Sequence, residues 1–177
     1  MRKLVLGVVA VTLLSTLTTS AHDPRTVAKD FSHSLTVDGA GKLTISYKSL
    51  HWNEPQYNAA KQNEQLRNRF NTGLWKKIGK LDAEFDVVMS GVKVAKGSYS
   101  LGINFDANDN FKLVLGGASE IMVPLTTATD TANIEYLTFD IRPTDKPDTF
   151  VVEGRSGKFR CSAEMKVPYL AEHEHAK

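Results

Sequence analysis

The stretch Lys158-Phe159-Arg160-Cys161-Ser162-Ala163-Glu164-Met165-Lys166-Val167 alternates polar and apolar residues without a break. Successive side chains of an extended chain point to opposite faces, so Phe159, Cys161, Ala163, Met165 and Val167 share one face while the charged and hydroxyl residues share the other. Such a strand must bury its apolar face against something. The same period appears in Leu43, Ile45 and Tyr47, in Tyr99, Leu101, Ile103 and Phe105, and in Leu137, Phe139 and Ile141. Shorter segments at 31–37, 85–89, 111–115, 121–125 and 150–153 read the same way. Turn-forming residues separate them at Asp38-Gly39-Ala40-Gly41, at 106–110, at Gly116-Gly117, at 143–148 and at 154–157. Antiparallel strands joined by such turns predict an all-β fold, an antiparallel β-sandwich or a partly open barrel.

One segment does not alternate. Residues 58–71 are rich in Ala, Gln, Glu, Lys and Arg and poor in β-branched residues, which predicts one helix packed on the sheet. Leu66, Phe70 and Leu74 would form its apolar stripe, with Lys61, Gln65, Arg67 and Arg69 facing water and Gly73 ending it.

The N-terminus carries an address. Arg2 and Lys3 precede an apolar run from Leu4 to Leu17, and Thr19-Ser20-Ala21 supplies the small residues a signal peptidase reads. Residues 1–21 are therefore expected to be a signal peptide, with His22 the first mature residue and no stable membrane insertion after cleavage. The remaining residues, 22–177, suffice for a single β-rich domain with polar tails at about 22–30 and 170–177. The expected location is periplasmic or secreted. Arg2 and Lys3 account for the whole formal charge of +2, so the mature chain is neutral, which argues against a nucleic-acid partner. The single cysteine, Cys161, has no partner in the chain for a disulfide, and its strand parity places it on the apolar face.

From Val88 to Leu101 the spacing Val88-x-x-Gly91-x-x-Val94-x-x-Gly97-x-Tyr99-x-Leu101 resembles the exported bacterial family filed as domain of unknown function 2911. Ile45-Ser46-Tyr47 and the segment 75–79 are similar to that family's earlier motifs, and the likeness extends roughly over 31–167. The family's glycine- and arginine-bearing loop and its Asn-Glu pair are replaced here by the 58–71 segment and by Lys80-Leu81-Asp82. The resemblance implies an exported β-fold and no particular chemistry.

Several motifs fail on inspection. Asp106, Asn108 and Asn110 alternate like calcium ligands, but Phe111 stands where the sharp-turn glycine belongs and Gly117 where the bidentate Glu belongs, so a hairpin turn is expected. Ser98-Tyr99-Ser100-Leu101-Gly102 lacks the first glycine of a nucleophile elbow and sits within a strand. Two weaker arrangements remain. Trp52 and Trp75 flank the helical segment and would line a cleft for a sugar or another flat ligand. His22, with its α-amine, and His173 and His175 would bind copper or zinc if the termini met.

No constellation specifies a catalytic set or a cofactor. The reading is a non-enzymatic accessory domain that binds an unknown small molecule or envelope protein. The alternative is a metal-handling protein or hydrolytic enzyme whose site is assembled only in space.

Overall fold

The computed structural model describes residues 29–173. Residues 1–21, where a signal peptide is expected, and His22 and His175 lie outside the described residues. Six strands form one antiparallel sheet in the order β1-β2-β3-β6-β7-β8: β1 (Lys29–Val37), β2 (Gly41–Ser49), β3 (Gly79–Ala83), β6 (Gly97–Phe105), β7 (Phe111–Gly116) and β8 (Glu120–Pro124). A second antiparallel sheet runs β5-β4-β10-β9 and contains β4 (Val87–Met89), β5 (Val92–Val94), β9 (Thr126–Pro143) and β10 (Thr149–Lys166). Both sheets are open, so the architecture is two sheets around a shared core and not a closed barrel. Leu43, Ile45, Leu81, Leu101 and Leu115 from the first sheet pack in the same cluster as Met89, Phe139, Val152, Ala163 and Met165 from the second. The alternating residues face inward for the reason the sequence implies: only one side of each sheet has another layer to cover it.

The two sheets meet along one seam. As the chain leaves β2 it docks on the free edge of β9: the Ser49 hydroxyl donates to the Leu137 carbonyl at 2.8 Å, Leu137 N–H to Leu50 at 2.8 Å, and Trp52 N–H to Glu135 at 2.8 Å. This seam places Trp52 against the second sheet.

Two expectations about local structure are corrected. Residues 154–157 are not a turn, because β10 runs unbroken through them, paired with β9 across two register irregularities. Their glycines admit bulky neighbours: a Cβ on Gly154 would lie 3.1 Å from the Phe139 ring, and one on Gly157, where φ is +57°, would collide with the Trp52 indole. The helical segment is likewise two helices, not one, α1 (Glu54–Gln62) and α2 (Glu64–Thr72). Asn63 between them is extended at φ −120° and ψ 112°, and its side-chain oxygen accepts from Leu66 N–H at 3.0 Å to cap α2. Asn53 caps α1 in the same way, with Pro55 in the first turn.

The expected stripe and polar face shift accordingly. Leu66 and Phe70 pack partly buried against the core, whereas Leu74 begins a 3₁₀ turn, Leu74–Lys77, and does not continue the helix. Gln65 and Arg69 are exposed as expected. Lys61 and Arg67 are half-buried, because Lys61 pairs with Asp109 and the Arg67 guanidinium donates to the Lys61 carbonyl at 2.8 Å. Near the ends of the described residues, β1 begins at Lys29 and a short helix, α3 (Pro168–His173), follows β10. Among the described residues no helix is long and apolar enough to cross a membrane.

Candidate functional site

The seam, the glycine-bearing stretch of β10 and the α1–α2 pair enclose one end of the space between the sheets. A cavity of about 100 Å³ lies there. Trp52 and Trp75 both line it, so the structure brings together the two residues that the sequence only placed on either side of a helix; their ring centres are 6.2 Å apart.

Around them the aromatic contacts are continuous. The Trp52 ring lies 4.8 Å from Tyr57 and 5.8 Å from Phe159, Tyr57 lies 4.9 Å from Phe105, and Trp75 lies 5.5 Å from Phe105 and 6.1 Å from Phe70. Phe111 closes the ring of contacts at 5.2 Å from Phe159. These separations lie in the range where tilted and edge-to-face aromatic pairs attract. Tyr57, Phe105, Phe111 and Phe159 join this site only through the tertiary fold. Phe105, Phe111 and Phe159 were legible as inward-facing strand residues, but nothing local marks the cavity they share.

Each wall has its own support. Tyr57 is held from the β6–β7 hairpin: its hydroxyl donates to Asp109 Oδ1 at 2.6 Å, and Lys61 Nζ donates to Asp109 Oδ2 at 2.6 Å. Burial pushes the Tyr57 hydroxyl well above its ordinary range, and its bond to the Asp109 carboxylate raises it further, so it stays protonated and donating. For Asp109, burial works to raise the carboxyl, but the bonds from Lys61 and Tyr57 outweigh it and hold the group below its ordinary value. Asp109 occupies the left-handed region at φ 61° in a hairpin turn that Asp106 organises, accepting from Asn108 N–H at 2.8 Å and Asn110 N–H at 3.0 Å. The segment 106–110 is thus the hairpin that its sequence predicts. What the sequence did not show is that it reaches back to clamp α1.

Asn71 supports the opposite side. Beyond its pairing with β3, the edge of β6 is taken up by the Asn71 side chain, which donates to the Phe105 carbonyl at 2.9 Å and accepts from Phe105 N–H at 3.2 Å, as a neighbouring strand would. This fixes α2 and the following 3₁₀ turn beside the cavity.

Polarity is graded along the lining. Trp52, Tyr57, Phe105, Phe111, Leu137 and Phe159 are buried, whereas the polar residues His51, Asn53 and Gln56 are exposed at the rim. His51 contacts Glu135 at 3.4 Å and packs edge-on against Tyr136. Cys161 also lines the cavity and is 8% exposed; burial pushes its thiol up to about 11, the Thr127 hydroxyl at 3.9 Å working the other way. At neutral pH it is a protonated, apolar wall element.

Of the three histidines considered as metal ligands, only His173 falls within the described residues. It ends α3, where its ring stacks on Tyr169 at 4.1 Å and Nδ1 lies 2.8 Å from the Tyr169 carbonyl. Among the described residues no group of three His, Cys, Asp or Glu side chains is placed to hold a metal ion.

A search of protein-family models, of curated proteins and of solved structures gives no match to the chain.

Proposed function

We propose that this is a non-enzymatic binding domain, exported to the periplasm or secreted, that holds a small organic molecule between its sheets beneath the α1–α2 pair. The observation that carries the reading is the cavity itself, walled by aromatic rings that include both tryptophans of the chain. Small-molecule sites are typically concave, mostly apolar, and equipped with a few polar groups near one end. The exported address rests on the basic start, the apolar run and the Thr19-Ser20-Ala21 cleavage sequence. A binding role suits the lining better than hydrolysis does, because its thiol is held protonated and its tyrosine hydroxyl is committed to Asp109.

Native mass spectrometry of the protein recovered from its own cell envelope tests this. One small organic molecule per chain, released on denaturation, is the expected result. A bare polypeptide mass, combined with tryptophan emission that no added apolar compound changes, would overturn the reading.

A further inference from the structure

The chemistry of the lining narrows the ligand, on the premise that the cavity is the binding site. We infer that the cavity takes a neutral, single-ring aromatic compound whose polar substituent faces the rim formed by His51, Asn53 and Gln56.

Size sets the first limit. A cavity of about 100 Å³ is of the order of those that admit one benzene-sized ring, for which about 150 Å³ of apolar space suffices. A fused polycyclic body would leave part of its surface outside the aromatic walls and gain correspondingly less.

Charge sets the second. The lining contains no Asp, Glu, Lys or Arg. A charged group drawn inside would lose its hydration with no opposite charge to replace it, and such burial is costly. Charged groups flanking the lining have partners of their own: Asp109 with Lys61, Glu54 with Lys158 at 3.4 Å, and Arg155 with Asp130, while Glu135 lies 3.4 Å from the His51 ring.

Aromaticity is the third. Trp52, Tyr57 and Phe159 lie tilted or edge-on to one another at 4.8–5.8 Å, so the walls offer both ring faces and ring edges. A flat ring can use these contacts; a puckered one of similar volume gains only its apolar burial. Orientation follows from the gradient of polarity. Asn53 spends its side-chain oxygen on Gln56 N–H, which leaves its amide NH₂ at the rim beside the Gln56 side chain, where a ligand hydroxyl or carbonyl would meet them.

Four compounds separate these claims in calorimetric titrations of the mature chain: benzyl alcohol, cyclohexylmethanol, benzoate and benzylammonium. Benzyl alcohol should bind with a stoichiometry of one and most tightly. Loss of the aromatic contacts should weaken cyclohexylmethanol by about two- to tenfold. Each ion should bind roughly tenfold more weakly or worse, from uncompensated burial of charge. Cyclohexylmethanol or either ion binding as tightly as benzyl alcohol would overturn the ligand assignment while leaving the cavity as the site. Binding of none of the four would overturn the ligand assignment, and the native mass spectrum of the envelope-derived protein then decides whether the cavity holds any small molecule. To place the binding, Trp75→Ala should weaken benzyl alcohol and Trp75→Phe should largely restore it. Affinity unchanged in Trp75→Ala would locate the binding elsewhere and overturn both the ligand assignment and the cavity as the site.

Discussion

A methyl group at position 157 has nowhere to go. The Gly157 backbone is left-handed at φ +57°, and its missing side chain is the space that the Trp52 indole occupies. Gly157→Ala therefore combines two penalties, about 1–2 kcal/mol for a left-handed L-residue and about 1–3 kcal/mol for overpacking. Gly91 provides the control, because its φ is +80° but nothing lies within 4 Å of the point where a Cβ would stand, so Gly91→Ala should cost only the first, about 1–2 kcal/mol. Urea unfolding of both variants measures the difference, and equal losses would show that the Trp52 contact does not constrain position 157. Only Gly157→Ala should also change the tryptophan emission of the folded state. Gly91 bears equally on the glycine-spaced motif at 88–101: any chain turning from β4 into β5 in this conformation favours glycine there, so the spacing reports a hairpin first. Cys161 carries the second prediction at this scale. With Cys161 8% exposed and its thiol pushed up to about 11, maleimide should label the native protein far more slowly than the denatured chain at neutral pH. Equal rates would place the thiol on the surface and remove it from the cavity wall.

Among the elements, the α1–α2 pair is the most dependent on polar ties. Of its residues only Tyr57 and Ala60 are buried, and α2 has none, so the pair relies on the Asp109 clamp, the Asn71 bonds to β6 and the Glu54–Lys158 contact. Asp109→Asn should cost about 1–2 kcal/mol at pH 7, the range for a partly exposed charged hydrogen bond. The loss should depend on pH. Because Asp109 in the folded protein lies below its ordinary value of 3.8, its contribution is complete above that value and is lost as pH falls through the lower folded value. Wild type and variant should therefore converge in stability in strong acid, and a constant difference across that range would show that the carboxylate charge is not what holds α1. This dependence explains what the sequence could and could not convey. Strands such as β6 and the end of β10 were legible because one face of each is buried, which imposes period two. β3 and β5 do alternate, burying Leu81 and Ala83 and then Val94, but over only five and three residues, too short for a period to stand out, and the first half of β9 buries no residue and so has no apolar face to show. The break at Asn63 was hidden because the same segment also carries Asn58, Asn68 and Asn71 inside the helices, so an asparagine there does not by itself mark a cap. The clamp joins residues 52 apart in sequence, beyond the reach of any local pattern.

At the scale of the whole molecule, a single core links everything that the cavity needs. Leucine, methionine and aromatic residues of both sheets form one buried cluster, and the seam between residues 49–52 and β9 hydrogen-bonds the two sheets directly. The tryptophans sit at one end of this cluster, under the helix pair, while most of the strand backbone lies elsewhere. If the core is continuous, the cavity end cannot unfold while the sheets persist, and unfolding should be a single cooperative transition. Tryptophan emission, which reports the cavity, and far-ultraviolet circular dichroism, which reports the strands, should then give the same urea midpoint. Two midpoints, with tryptophan emission changing first, would mean that the helix pair and cavity wall melt separately from the sandwich. A bound ligand sharpens the comparison. At a free concentration of one hundred times its Kd, a compound that binds only the folded state adds about 2.7 kcal/mol of stability. In a cooperative molecule that increment belongs to the whole fold, so benzyl alcohol should move both midpoints upward by the same amount. A shift confined to the emission signal would show that the ligand stabilises only the cavity end and that the two sheets do not share one folding unit with it.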